Sequence, residues 1–248
     1  MKIVLAGGTG QLGALLQRAF SADDHGVIVL GRRPSDASER RQWDGRTLGD
    51  WAAEIDGADA VINLAGRTVN CRYTEENLRQ MMDSRVDSTR VIGQAIAQAE
   101  RPPPVWLQMT TATIYAHRFD AANDEATGII GGDEPDAPAY WKRSIEIAQA
   151  WEATLDAAET PQTRKVALRA AMVMSPDKDG VFDVMSNLVR VGMGGTIGGG
   201  RQYVSWIHGD DFLAAVRFLI DHPEMSGPVN LAAPGPMPQR EFQAALRS

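Results

Sequence analysis

The chain has 248 residues, 44% hydrophobic and 23% charged, with one cysteine and a formal net charge of −7. That length carries one large α/β domain or one and a half without covalent staples, and a single cysteine excludes an internal disulfide framework or a cysteine-based zinc cluster. A pI near 5.1 with no Lys/Arg-rich tract argues against nucleic acid as a partner.

No apolar run approaches the ~18 residues of a membrane span, and Ile3–Ala6 is too short for a signal-peptide core. The expectation is a soluble protein of a reducing, cytoplasmic compartment. In chain order, Lys2–Ala6, Val27–Leu30, Ala60–Leu64, Val105–Met109, Val166–Arg169 and Val229–Leu231 read as strands. Their apolar runs are continuous rather than alternating, which suits a parallel sheet covered on both faces. Gln11–Phe20, Leu48–Ile55, Thr74–Ala99, Trp141–Ala158 and Asp210–Asp221 read as the helices between them. Such alternation argues for right-handed βαβ units in a doubly wound sheet. Pro102, Pro103 and Pro104 end the longest helix. Residues 116–138 and 175–203 break the pattern and are read as loops that close over a site, with disordered insertion as the alternative.

The segment Gly7-Gly8-Thr9-Gly10-Gln11-Leu12-Gly13 runs from the first strand into the first helix. Glycines at 7, 10 and 13 permit a tight turn, close approach of a pyrophosphate and close helix–strand packing. The free amides and the positive end of the helix dipole then face an anion. A glycine-rich turn without a ligand is the alternative. The second strand is followed by Gly31-Arg32-Arg33-Pro34, where an NAD site would carry an acid for the ribose hydroxyl. Arg32 and Arg33 suit a 2′-phosphate instead. NADP is therefore expected, NAD less so, unless the two arginines are simply solvated.

These motifs resemble the extended form of the short-chain dehydrogenase/reductase superfamily, the NAD(P)-dependent epimerase/dehydratase family. Asn63-Leu64-Ala65-Gly66 resembles the segment flanking the adenine-side ribose, and Thr110–Ala116 the family's SSAAVYG. Trp206-Ile-His208-Gly-Asp210-Asp211 is similar to its F-I-H-V-D-D helix entry. Asp83–Arg90 points more narrowly to the atypical SulA-like epimerase branch. Members of that branch usually continue with a further C-terminal segment, so this chain is expected to be shortened or a short member. The resemblance implies an α/β, Rossmann-type doubly wound sheet over residues 1–174. Residues 175–248 would be mixed: a substrate-capping loop and helices over 175–205, a return to the sheet over 206–233 and a partial helix over 234–248.

The family pairs a Ser or Thr with Tyr-x-x-x-Lys, the lysine lowering the tyrosine pKa. No tyrosine here has a lysine four residues on; Ser144 and Ala148 fall at the two positions, and Tyr140 and Lys142 do not share a helix face. Thr111 matches the family Ser/Thr, and Tyr115 is the remaining candidate proton donor, each with a structural alternative (a turn cap, a core tyrosine). Val204 and Met172 replace two polar hooks for a nucleotide diphosphate, although Arg190 and Arg201 lie near enough to compensate. His208 is read as orienting its helix rather than catalysing, and Cys71 as an inert thiol. Arg85 is left between a cofactor contact and a salt bridge. No metal ligand spacing is present. Two functions follow as expectations: an NADP-dependent oxidoreductase or epimerase on a small carbonyl or hydroxyl substrate, or a dinucleotide sensor that has lost the chemistry. The partner expected is a small molecule, with neither nucleic acid nor membrane; a homodimer is left open.

Overall fold

The apolar runs and one polar one join in a single seven-stranded sheet. A computed structural model describes every residue except Asp136 and Asp179. Its elements are β1 (Lys2–Ala6), α1 (Gln11–Ala22), β2 (Gly26–Gly31), β3 (Arg40–Gln42), β4 (Ala60–Asn63), α2 (Glu75–Gln98), β5 (Val105–Thr111), α3 (Ala139–Asp156) and β6 (Arg164–Ala170). There follow β7 (Met172–Met174), α4 (Val181–Arg190), β8 (Tyr203–Val204), β9 (Trp206–His208), α5 (Gly209–Asp221), β10 (Gly227–Leu231), β11 (Met237–Pro238) and α6 (Gln239–Arg247).

The sheet runs β10-β6-β5-β4-β1-β2-β3 with every pairing parallel. Strand order reverses between β1 and β4, which opens a crevice at the carboxyl ends of those two strands. Side chains alternate across the sheet. Ile3, Leu5, Ile62, Leu107 and Leu168 pack with Leu16 and Phe20 of α1 and Phe212 and Val216 of α5. Val4, Val61, Trp106 and Ala167 belong to the other layer, with Val91, Ile92 and Ile96 of α2 and Leu155 of α3. Two covered faces are why the strands are apolar throughout, each buried Leu or Ile contributing about 1.5–3 kcal/mol.

Caps set the helix ends. The Thr74 hydroxyl accepts from the Asn77 amide at the start of α2, with Glu75 and Glu76 in its first turn. At the other end of α3, the Lys165 ammonium donates to the carbonyls of Leu155, Asp156 and Ala158, which neutralises the negative end of the helix.

Several sequence expectations need correction. Leu48–Ile55 is no helix but a 3₁₀ turn over Asp50–Glu54, where Trp51 packs edge-on to Trp43 at 5.4 Å. Strand β3 was not anticipated because Arg40-Arg41-Gln42 lies on the sheet edge and needs no apolar residues. The stretch 175–203, read as a loop from its broken pattern but as loop and helices from the resemblance, holds α4, with Asp183 in its first turn and Arg190 in its last. Residues 116–138 contain no helix and no sheet strand among those described, yet they are stitched down. Tyr115 bridges Ile130, and the Asn230 amide of β10 donates to Glu125 Oε1 at 2.6 Å. β10 also carries Pro228. Among the described residues no helix is long and apolar enough to cross a membrane.

Candidate dinucleotide and active site

Strand β1 delivers the chain to the mouth of the crevice, and Gly7 turns it there with φ +72°, a conformation that favours glycine. A Cβ on Gly7 would lie 2.7 Å from Ala65 Cα, so the turns after β1 and β4 are pressed together. A Cβ on Gly13 would overlap the Gly8 backbone. The approach to Gly10 is open: nothing lies within 4 Å of where its Cβ would be. No side chain caps α1, and the amides of Gln11, Leu12 and Gly13 meet no acceptor among the described residues. Such an uncapped, glycine-lined helix start fits a pyrophosphate. Gln17 was missed by sequence reasoning; its amide braces the loop by donating to the Gly8 and Gly13 carbonyls at 2.6 and 3.1 Å. Thr9 packs on Gly31, where a Cβ would meet its methyl at 2.8 Å.

Arg32 and Arg33 are exposed at the end of β2 and form no ion pair among the described residues. Arg32 opens onto a cleft of about 340 Å³ shared with Arg46 and Arg67. Arg46 carries no local motif, and its place follows from Asp44, whose carboxylate accepts from the amides of Arg46 and Thr47. On the other side of β1, the Ala65 amide donates to Asn63 Oδ1 and the Leu64 amide to the Ala6 carbonyl, which sets Leu64, Ala65 and Gly66 along the crevice. Asn63 is itself held by Gln108 at 3.0 Å.

Thr111 ends β5. Its hydroxyl accepts from the Thr113 amide at 3.1 Å, leaving its own proton free to donate. Tyr115 is differently placed. Its side chain is buried; its hydroxyl donates to Asn230 Oδ1 at 2.9 Å and accepts from Arg169 Nη1 at 2.8 Å. The geometry therefore corrects the proton-donor expectation: this phenol ties β5 to β6 and β10. Arg169, unremarkable in sequence, is gripped by Glu152 through two hydrogen bonds, which push its pKa up. At the family's tyrosine and lysine positions, Ser144 donates to the Tyr140 carbonyl and Ala148 is buried against Ile114 and Tyr115. Lys2 and Lys165 are spent on backbone carbonyls, and Lys142 and Lys178 are exposed. His208 caps α5 by accepting from the Asp210 amide. Val204 pairs in β8 and Met172 in β7; Arg201 lies over Phe119, and Arg190 donates to Asn187. Cys71 is half-buried. No cluster of three metal-ligating side chains occurs among the described residues.

Of the two alternatives open to it in sequence, Arg85 does not take the salt bridge. It is largely enclosed, its guanidinium 4.9 Å from the Trp151 ring centre, and it makes no salt bridge among the described residues.

A doubly wound sheet with a glycine turn at its switch point and a Thr-bearing β5 defines an extended short-chain dehydrogenase/reductase. The profile of the NAD dependent epimerase/dehydratase family matches residues 3–232, and the chain belongs to that family. An epimerase family protein of Mycobacterium leprae is 30% identical over 250 residues, covering 98% of this chain and 76% of its own. The crystal structure of human epimerase family protein SDR39U1 (isoform 2) with NADPH superposes with TM-score 0.84 at 28% identity, over 99% of this chain and 80% of that one. A nucleoside-diphosphate sugar epimerase from Corynebacterium glutamicum shares the fold, with TM-score 0.80 at 23% identity over 99% and 49% of the two chains.

Proposed function

We propose that the protein binds NADPH in preference to NADH and serves as an oxidoreductase or epimerase on a small carbonyl or hydroxyl compound. The observation that carries the cofactor choice is the pair of exposed guanidiniums, Arg32 and Arg33, in no ion pair among the described residues, where an NAD site would present a carboxylate. The human relative crystallised with NADPH supports the same choice. When bound, the dinucleotide supplies hydride chemistry at the nicotinamide ring. The chain's own contribution is to seat the paired phosphates on the amides opening α1 and to offer the Thr111 hydroxyl as donor to the substrate oxygen. Tyr115 plays no part in this scheme, because its hydroxyl proton is committed to Asn230.

Fluorescence titration with NADPH and NADH tests the reading, with Arg32→Ala as the discriminating variant. A lost charge-assisted hydrogen bond costs about 1.5–3 kcal/mol, roughly ten- to hundredfold in affinity. That loss should fall on NADPH and spare NADH. Equal affinities in the wild type would refute the cofactor choice. NADPH binding with no loss of its absorbance across a panel of aldehydes and ketones would favour the sensor over the enzyme.

A further inference from the structure

We propose that Arg85 is the anchor for a carboxylate on the substrate, so that the reacting carbonyl or hydroxyl compound is an oxo acid or hydroxy acid. The argument begins with where the side chain sits. Arg85 lies one turn before Thr89 on α2, and the Thr89 hydroxyl accepts from Trp151 Nε1 of α3 at 3.0 Å. The guanidinium stacks on that same indole, and a Cβ on Gly66 would be 3.3 Å from its Cζ. Arg85 is therefore wedged between the turn after β4 and α3. The Gly66 turn that it faces follows β4 and lies along the crevice at the carboxyl ends of β1 and β4.

Donor accounting then says what it lacks. Nη1 donates to the Arg67 and Met81 carbonyls at 3.2 and 3.0 Å. Nε and Nη2 donate to nothing among the described residues, and neither is sealed from solvent. No carboxylate lies within ion-pair range of it among those residues. Burial pushes the guanidinium pKa down, but an arginine stays protonated. Its two free donors face solvent and are open to an anion that replaces the water there.

The shape of the vacant edge narrows the choice. Nε and Nη2 form the side-on fork of the guanidinium, the geometry that meets two coplanar oxygens. Arg169 uses this same edge on Glu152, with Nε to Oε1 at 2.9 Å and Nη2 to Oε2 at 2.7 Å. Arg164, half-buried and in no ion pair among the described residues, has spent both terminal nitrogens on the carbonyls of Met225, Leu219 and Ile220. Arg85 alone of these three keeps its side-on edge open among the described residues, and it does so beside the Gly66 turn of the crevice. With Ala148 where the family has lysine, that position offers an incoming carboxylate no rival cation.

This inference rests on the proposed function only in placing the acid beside a nicotinamide. The probes are phenylglyoxylate and a set of aliphatic 2-oxo and 3-oxo acids, each paired with its amide, titrated calorimetrically into protein saturated with NADP⁺. At least one acid should bind about tenfold or more tightly than its amide, the worth of one charge-assisted hydrogen bond. Arg85→Gln should abolish that preference while leaving the NADPH affinity within about threefold, and Arg85→Lys should retain part of it. A melting curve establishes that Arg85→Gln is folded; should it not fold, Arg85→Lys carries the comparison, its point charge lacking the fork. Acids and amides binding alike, no acid binding at all, or full acid affinity in the folded variant would each overturn the anchor. NADPH titration of the wild type reports separately on the dinucleotide: acid binding without NADPH binding would sink the proposed function and leave the anchor standing.

Discussion

Removing the Glu152 carboxylate tests what holds the ends of β5 and β6 in place. The Arg169 and Glu152 side chains are only 10% and 12% exposed. Two hydrogen bonds of 2.9 and 2.7 Å join them, and Arg169 also donates to the Tyr115 hydroxyl with its guanidinium 5.0 Å from that ring centre. Glu152→Ala leaves a buried guanidinium without a counter-charge, which costs about 3–5 kcal/mol. Against the ~5–15 kcal/mol that a domain typically holds, that is a large fraction. At this chain length each kcal/mol moves Tm by about 2–4 °C, so a fall of about 6–20 °C is expected by calorimetry or circular dichroism. The double variant Glu152→Leu with Arg169→Met should recover most of the loss, because the desolvation penalty disappears with the charges. A single variant within about 1 kcal/mol of wild type, the range of exposed pairs, would refute the claim that this pair is desolvated.

Gly13→Ala should destabilise the fold by about 1–3 kcal/mol and weaken NADPH about tenfold or more, since the new methyl meets the Gly8 backbone rather than a movable side chain; wild-type affinity would contradict the close packing. Thr111→Val should lower turnover about a hundredfold with NADPH affinity unchanged, and Thr111→Ser should restore most of it; a variant losing only cofactor affinity would assign Thr111 to binding. Asp44 gives a pH dependence. The Thr47 amide, then that of Arg46, holds its carboxyl below the ordinary carboxylate value. Its folded pKa being the lower one, the stabilisation is complete above the unfolded value of about 3.9 and is lost as pH falls through the folded one. Tm should therefore stay level from about pH 7 to 5 and drop below about pH 4. Asp44→Asn should make that drop shallower; an unchanged slope would count against the turn.

The core of the sheet was legible because β1, β4, β5 and β6 are covered on both faces, which forces continuous apolar runs. Strand β6 nevertheless begins at Arg164 and Lys165, charged residues whose side chains run to carbonyls at the ends of α5 and α3. A linear reading takes such residues for solvent. Helices were expected within 175–205, but the bounds of α4 were not legible: none of its residues is fully buried, and Gly180 and Gly192 stand just outside its ends. The phosphate turn could be read because its demands are local, a left-handed Gly7 and an uncapped helix start. The engagement of Tyr115 could not, since Arg169 and Asn230 reach it from strands remote in sequence. Arg85 was noticed, but its open edge emerges only from counting donors across α2, α3 and the turn after β4.

The outermost strand β10 has a further meaning for the life of the molecule in concentrated solution. Of the backbone positions facing away from β6, Pro228 has no hydrogen to give and Asn230 has already given its own to Glu125. A stray extended peptide arriving at this border would find no donor row to zip onto, which is how natural sheets keep from polymerising side by side. One glutamate, reaching across from a loop, thus protects the protein against its own neighbours.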